Sequence, residues 1–388
     1  MTNKKNILIL SPFFYPEPIS TGKFNTDFAV ALKNDGHNVT VLCYHPFYPD
    51  WKIQESQEEL NGIKIIRGGS NLNFSKKTIV RRFVLEFSFA FFILRKIRKH
   101  QKNKDIIIPV FPPSFAFYSI LSFLNKKIKK VGMVHDLQEV YSINKSGFIN
   151  KVIRFFIHKI ERKCYQTCTK LVFLSKEMKE QAKELYALQE IKLEVQYPFI
   201  TIKEKRTNDL EHLFNKDKKH VVYSGALGEK QNPEKLFNFF DQASLNTENI
   251  IFHFFSRGDT FNRLKKINAN SKIHFHGLVE KEHLEELYHK SDVQIIPQKE
   301  DTSKGSLPSK LPNLLASNCK IFLITDDNSE LEVFFKKNNL DFVVTSWNIK
   351  ELINSLQILI DKPVDFKNQK LVAKNFFTID KMILKLLR

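Results

Sequence analysis

Asn6-Ile7-Leu8-Ile9-Leu10-Ser11-Pro12 begins the patterned part of the chain, and Val39-Thr40-Val41-Leu42-Cys43 follows after one helical stretch. The first run is continuously apolar and stops at turn residues, which marks a strand buried on both faces. Between the runs, Thr21-Gly22 opens a pattern of Phe24, Phe28, Ala31 and Leu32 that ends at Asp35-Gly36. That spacing predicts a helix. Strand, helix and strand in so short a span make a βαβ unit, hence a parallel sheet with a right-handed crossover. Apolar runs at Ile63–Arg67, Asp105–Val110, Val131–His135 and Leu171–Leu174 extend it.

The pattern then restarts. Thr201–Lys219 is polar and rich in Lys, Glu and Asn, as a connection between domains is. Val221–Ser224 repeats the logic of the first strand, and Ile250–Phe255, Ile273–His276, Val293–Ile296, Ile321–Thr325 and Phe342–Val344 continue it. Helices are expected between them at Lys281–Lys290 and Pro308–Ser317. The expectation is an α/β chain of two Rossmann-like domains, residues 1–200 and 201–374, with a helix over 375–388 crossing back to the first. Such sheets bind ligands outside the carboxyl ends of their strands, so chemistry is expected in a cleft where the domains face each other.

Length and composition agree. At roughly 100–200 residues per domain, 388 residues suit two domains. A hydrophobic content of 42% is too high for a disordered chain and too low for a multi-span membrane protein. The longest apolar candidate, Phe83–Leu94, is too short to span a bilayer and contains Glu86. Ile7–Leu10 lacks the length and cleavage site of a signal peptide, so none is expected. Cys43, Cys164, Cys168 and Cys319 are too few and scattered for a disulfide framework, and no further pair or His completes a metal set around Cys164 and Cys168. An intracellular protein with reduced thiols is expected.

The formal charge of +19 is concentrated. Ser75–Lys104 holds ten Lys/Arg against one acid, and Lys126–Lys163 holds ten against three. Both interleave bases with aromatic and aliphatic residues, as in Arg81-Arg82-Phe83 through Arg95-Lys96 and in Lys151-Val152-Ile153-Arg154-Phe155-Phe156. No helix-turn-helix, zinc-finger or aromatic-sheet motif accompanies them, so nucleic acid is not the expected partner. Basic-aromatic helices suit an anionic membrane surface. Two core helices with solvated ends are the plainer alternative.

The predicted strand ends carry the remaining information. Ser11–Lys23 puts Gly22 at a helix start, where free N–H groups attract anions. Val221–Ser224 leads into Gly225-Ala226-Leu227-Gly228-Glu229-Lys230, and Val293–Ile296 leads into a loop ending Gly305-Ser306-Leu307-Pro308-Ser309-Lys310. Strand–loop–helix anion sites in both domains point to a diphosphate ligand.

These segments resemble a family. Gly305-Ser306-Leu307-Pro308-Ser309-Lys310-Leu311-Pro312-Asn313-Leu314-Leu315-Ala316 is similar to the LPSKLxNxLA block of colanic-acid-type glycosyltransferases, among them fucosyl- and N-acetylfucosaminyl-transferases. Tyr223-Ser224-Gly225-Ala226-Leu227-Gly228-Glu229-Lys230-Gln231 resembles their YSGNLGxKQ loop. His276-Gly277 with Leu284, Leu287, Tyr288 and Ser291-Asp292 resembles the C-terminal domain of family 4 glycosyltransferases of GT-B fold. Phe14-Tyr15-Pro16-Glu17-Pro18 with Thr21-Gly22, then Gly36-His37-Asn38-Val39, resembles the opening of that family, and Phe111-Pro112-Pro113 and His135-Asp136-Leu137 fall where it has first-domain strand ends.

The resemblance implies roles. Lys230 and the loop Gly225–Gly228 contact the donor diphosphate, Ser309 and Lys310 add to the same site, and Gly22 at its helix start is a further donor-binding candidate. Ala226 stands where many members have Arg, and Lys310 is the candidate to replace that charge. Gly305 and Asn313 occupy the places of two glutamates, the second of which holds the ribose, so Asn313 is an altered donor contact and Glu330 a substitute carboxylate. His135 and Asp136 position the acceptor hydroxyl or steady the oxocarbenium-like transition state. No cofactor and no metal are expected, since no Asp/Glu/His cluster is spaced for a divalent cation. The donor is a UDP- or GDP-sugar and the acceptor a lipid-linked saccharide of a bacterial surface polysaccharide, such as O-antigen or capsule. Transfer proceeds with retention, and the protein lies peripherally on the cytoplasmic side of the cell membrane. A GT-B sugar-nucleotide epimerase and a catalytically silent GT-B module are the alternatives.

Overall fold

The computed structural model describes residues 4–387 except 49, 76, 140–147, 203–206, 301, 303–306, 341 and 364–365. Gly305 and Ser306 therefore lie outside the described residues. The chain forms two compact units, Met1–Tyr197 with Ile379–Arg388, and Pro198–Thr378.

In the first unit the strands are β1 (Asn6–Leu10), β2 (Asn38–Tyr44), β3 (Glu59–Leu60), β4 (Ile63–Gly68), β5 (Ile106–Phe111), β6 (Lys129–Val134), β7 (Lys170–Phe173) and β8 (Leu193–Val195). Their order is β3-β4-β2-β1-β5-β6-β7-β8. Every pairing is parallel except that of β3 with β4. Ile7 pairs with Val39 on one side and Ile106 on the other, so the order reverses at β1. β5 is buried at every residue and β1 at all but Asn6, as uninterrupted apolar runs require. β3 and β8 have two and three residues at or near the sheet edges, too short for any periodicity to reveal.

Helices Thr78–His100, Ser114–Ile120 and Phe148–Thr167 pack side by side. The aromatic run of the first helix is not one core. Phe89 is buried and Phe92 packs beneath it, whereas Phe83, Phe87 and Phe91 are 46%, 54% and 56% exposed. At i, i+4 and i+8 these three form a single stripe. Phe155 and Phe156 of the third helix are equally exposed. Arg95 lies over the Phe91 ring and Lys159 over Phe155.

The helix expected over 375–388 to return to the first unit begins later, at Ile379, because Asn375 and Phe376 end the preceding helix. That helix, Phe366–Phe376, belongs to the second unit, where the Gln369 amide donates to the carbonyls of Leu314, Ser317 and Cys319. Ile379–Leu387 belongs to the first unit, burying Met382 and Leu386. Lys5 Nζ donates to Leu387 O at 2.6 Å and Lys170 Nζ to Lys385 O at 3.1 Å. These contacts are invisible to local pattern because they join residues far apart in sequence.

The second unit has β9 (Lys219–Ser224), β10 (Ile250–Phe255), β11 (Ile273–His276), β12 (Val293–Pro297), β13 (Lys320–Ile324) and β14 (Val343–Val344). Their order is β11-β10-β9-β12-β13-β14, all parallel, and reverses at β9. The stretch expected as a helix over Lys281–Lys290 is a 3₁₀ turn at Lys281–His283 followed by helix Leu284–Lys290. The one expected over Pro308–Ser317 is helical only at Leu311–Ala316. Across β9, β10 and β11 runs a row of imidazoles, His220 Nδ1 to His253 Nε2 at 2.9 Å and His253 Nδ1 to His276 Nε2 at 3.0 Å. Burial pushes the His253 pKa down to about 2 and that of His276 to about 4, so the row is neutral.

Candidate active site

In an open α/β sheet the crevice for ligands opens where strand order reverses. In the second unit that point lies between β9 and β12. Gly225 leaves β9 with φ +130°, a conformation that an L side chain rarely adopts, and its N–H donates to Phe255 O at 3.0 Å. The Tyr223 hydroxyl donates to Ala226 O, and Gly228 N donates to Gln231 Oε1 at 3.1 Å. Glu229–Gln231 then forms one 3₁₀ turn before helix Pro233–Leu245. Lys230 stands exposed on this turn. The loop after β12 is tied to it, because Lys299 N donates to Lys230 O at 2.9 Å and Lys299 Nζ meets Glu229 at 2.8 Å. Glycine freedom and backbone pinning thus bring Gly225, Gly228 and Lys230 together at the switch point.

Lys310 does not join them as a second exposed cation. It precedes helix Leu311–Ala316 as its N-cap, with Ser309 exposed in the turn before it. Its ammonium donates to Ile295 O at 2.6 Å and Ser224 O at 3.3 Å, over the Tyr223 ring. Desolvation lowers its pKa to about 7, so its charge is partial at neutral pH. Asn313 departs further from the expected role. It is buried, and its Oδ1 accepts from Thr201 N at 2.8 Å and Ile202 N at 3.3 Å. It fastens the incoming chain and presents nothing to a ligand. Glu330 opens helix Glu330–Lys337 after β13, beside β12.

In the first unit, β1 and β5 mark the reversal and β6 adjoins β5. Gly22 lies in the first turn of helix Ser20–Asn34. A Cβ there would come within 3.0 Å of Glu17 Cβ and Glu17 O, so close packing accounts for the glycine without an anion. The buried Glu17 carboxylate accepts from Phe47 N and Tyr48 N, both at 2.9 Å. His135 follows β6, edge-on to Phe24, with Nε2 3.3 Å from Met133 Sδ. Desolvation lowers its pKa to about 4, leaving a neutral ring. Asp136 Oδ1 accepts from Leu137 N at 3.0 Å.

What holds that strand end is a residue the sequence did not single out. Glu161 is fully buried. It accepts from Gln138 N and Glu139 N at 3.2 Å, Tyr165 OH at 3.0 Å, Tyr186 OH at 2.6 Å and Ser114 Oγ at 3.4 Å. Burial raises its pKa, against the pull of the phenols and amides. Beside it, Glu86 Oε1 accepts from Gln138 Nε2 at 2.6 Å while Oε2 is buried without a partner among the described residues. Desolvation raises the Glu86 pKa to about 7. A solitary acid in each otherwise basic, apolar helix was the available signal.

Two family models cover both units in order, Glycosyltransferase Family 4 over residues 21–204 and Glycosyl transferases group 1 over 204–375. The chain belongs to the family 4 glycosyltransferases. This glycosyltransferase is 25% identical, over 84% of each chain, to an Escherichia coli K12 protein named as the colanic acid biosynthesis glycosyl transferase WcaI. Among solved structures, sucrose-phosphate synthase from Thermosynechococcus elongatus matches with TM-score 0.73 at 14% identity, covering 98% of this chain and 97% of that one. WaaG, a glycosyltransferase involved in lipopolysaccharide biosynthesis, matches with TM-score 0.67 at 11% identity, covering 98% and 99%. The fold is GT-B.

One side-chain cluster of the glycosyltransferase departs from the sequence reading. Asp209, His283 and Glu286 bring ligand-type atoms within 4.8 Å of one another, although sequence spacing suggested no such group. The cluster is internally bonded. Thr207 Oγ1 meets His283 Nδ1 at 2.9 Å and donates to Glu286, and Leu210 N donates to Glu286 at 3.0 Å. It ties the chain before β9 to helix Leu284–Lys290. Among the described residues, no helix is long and apolar enough to cross a membrane, and all four cysteines are buried and free.

Proposed function

We propose that this glycosyltransferase moves a sugar from a nucleoside-diphosphate donor, UDP- or GDP-linked, to a saccharide acceptor during assembly of a bacterial surface polysaccharide, with retention. The observation carrying this reading is the Gly225–Gln231 loop at the β9/β12 reversal, whose positive-φ glycine and exposed Lys230 suit a diphosphate. Lys230 would stabilise the departing nucleoside diphosphate without a metal. The second unit would take the donor, with Glu330 a carboxylate for its hydroxyls, and the first the acceptor. The neutral His135 ring adds no charge to oppose an oxocarbenium-like centre, and the Asp136 carboxylate next to it in the chain would favour one. The likeness to WcaI supports polysaccharide assembly as the setting.

The exposed Phe83, Phe87 and Phe91 stripe, with Phe155 and Phe156 and the cations Arg82, Arg95 and Lys96, supports an acceptor carried on lipid at the anionic cytoplasmic face of the membrane. Incubation with a panel of nucleotide sugars should release nucleoside diphosphate in the presence of EDTA. Lys230→Ala should weaken nucleoside-diphosphate binding by roughly 1.5–3 kcal/mol, the scale of a charge-assisted contact. Epimerised donor would instead make the chain an epimerase, and no turnover of any donor would make it a silent binding module. Binding to anionic liposomes at low salt should vanish in Phe87→Ser/Phe91→Ser. Liposome binding indifferent to those changes would remove the membrane from the reading.

A further inference from the structure

The carboxyl ends of β1, β5 and β6 hold the candidate site, and their amino ends hold something else. An open basin of about 1000 Å³ lies there. Seven of its thirteen lining residues are Lys or Arg, and one, Asp105, is acidic. That carboxylate is already used, since its Oδ2 accepts from Asn6 N at 2.6 Å. Lys5 is held by Leu387 O and Lys104 by Thr40 Oγ1 at 2.7 Å. Lys102, Lys127 and Lys129 meet no carboxylate among the described residues.

The positive surroundings extend past the basin: the pKa of Lys104 is lowered by burial and then by Lys64, and that of His100 by burial and then by Lys64, Lys99, Lys96 and Lys104. The carboxyl end of helix Thr78–His100 accounts for Arg98, whose positive charge complements the helix dipole. It does not account for Lys102 and Lys127, which come from two separate loops, or for Lys129, which opens β6.

Crowded like charges lower stability unless a counter-charge arrives, and a concave surface of one sign focuses its field on an anion. The basin's size is that of small-molecule sites, roughly 300–1000 Å³. Among the described residues its apolar lining is Ile106 and Ile128 with no aromatic, unlike the phenylalanine stripe with its surface for insertion. We propose that this basin is a second anion site, binding a small soluble polyanion with several phosphate-type charges. It lies roughly 15–20 Å from the strand ends that carry the candidate active site, the length of a five- to six-residue strand.

The probe is inorganic tripolyphosphate, titrated calorimetrically into the full chain at 0.1 M salt. Lys102→Glu/Lys127→Glu/Lys129→Glu should lose at least tenfold in affinity, while Lys265→Glu/Lys266→Glu/Lys374→Glu, an equal change of charge on the second unit, should stay within twofold of wild type. The basin variant should bind nucleoside diphosphate like wild type, which separates this site from the proposed donor site. Milder Lys102→Gln/Lys129→Gln should lose affinity in the same direction, with an unchanged melting temperature showing that folding is intact. Equal losses in the basin and control variants would reduce the effect to net charge and overturn the proposal. So would undetectable binding to wild type at millimolar tripolyphosphate. Loss of binding to phosphatidylglycerol vesicles in the basin variant, with tripolyphosphate affinity unchanged, would make the basin a lipid-headgroup surface and overturn the soluble ligand.

Discussion

The strand ends of the two units are built in opposite ways. In the second unit, Gly225–Gln231 is shaped by main-chain conformation and pinned by main-chain bonds, and its Lys230 stands in solvent. In the first, His135–Glu139 is gripped from below by one buried carboxylate, Glu161, that collects amides and phenols. A loop that must follow a diphosphate can be held by its own backbone. A strand end that presents a neutral imidazole and a carboxylate is fixed by a polar core, where each group left unmatched is costly.

Breaking the grip should have the largest effect. Glu161→Ala leaves two amides and two phenols without their acceptor, at roughly 1–3 kcal/mol for each group that finds no substitute. We expect the first unit to lose about 3–5 kcal/mol, followed in urea by Trp51 fluorescence in a Trp347→Phe background, with a smaller loss in Glu161→Gln. A loss within 1 kcal/mol, roughly that of a single ordinary hydrogen bond, would mean that the loop is held by something else.

Acid should separate the units next. In the second, His253 and His276 have folded pKa values below the ordinary 6.5, so the unfolded chain binds more protons and stability is lost as pH falls below 6.5. His253 alone should cost roughly 2 kcal/mol at pH 5, from about 1.4 kcal/mol per pH unit. In the first unit His135 acts in the same sense, but Glu86, raised to about 7, acts against it, because there the folded state binds the extra proton. Urea midpoints reported by Trp347 should therefore fall more between pH 7 and pH 5 than those reported by Trp51. Equal falls would contradict the assignment.

The smallest effect belongs to the backbone-built loop. Gly225→Ala should lower the stability of the second unit by only about 1–2 kcal/mol, the cost of forcing an L residue to positive φ. It should nevertheless reduce nucleoside-diphosphate binding, because the loop relaxes by re-aiming its N–H groups. Unaltered binding in a destabilised variant would limit the glycine to folding.

Local rules carried much of this into the sequence. Ile250–Phe255 and Ile273–His276 are strands at the expected residues because buried parallel strands are unbroken apolar runs. The glycine-containing loop after Val221–Ser224 was legible because only a few residue types tolerate such turns. The domain seam lies a few residues earlier than the expected 200, at Tyr197, since Pro198–Ile202 already packs with the second unit through Ile200, Phe377 and Asn313. Illegible were the partners of long polar side chains. Nothing local says that Asn313 reaches Thr201, that Lys310 turns toward the β9 and β12 carbonyls, or that Glu161 finds Gln138. Nor does spacing assemble Asp209 with His283.

The last helix of the first unit, Ile379–Leu387, is made after the whole of the second. At about 5–20 residues per second, a ribosome takes roughly 10–40 s to travel from the seam at Tyr197 to Ile379. Throughout that interval the groove that will receive Met382 and Leu386 is uncovered. During synthesis the unit begun first is finished last, its packing complete only once Ile379–Leu387 has been made.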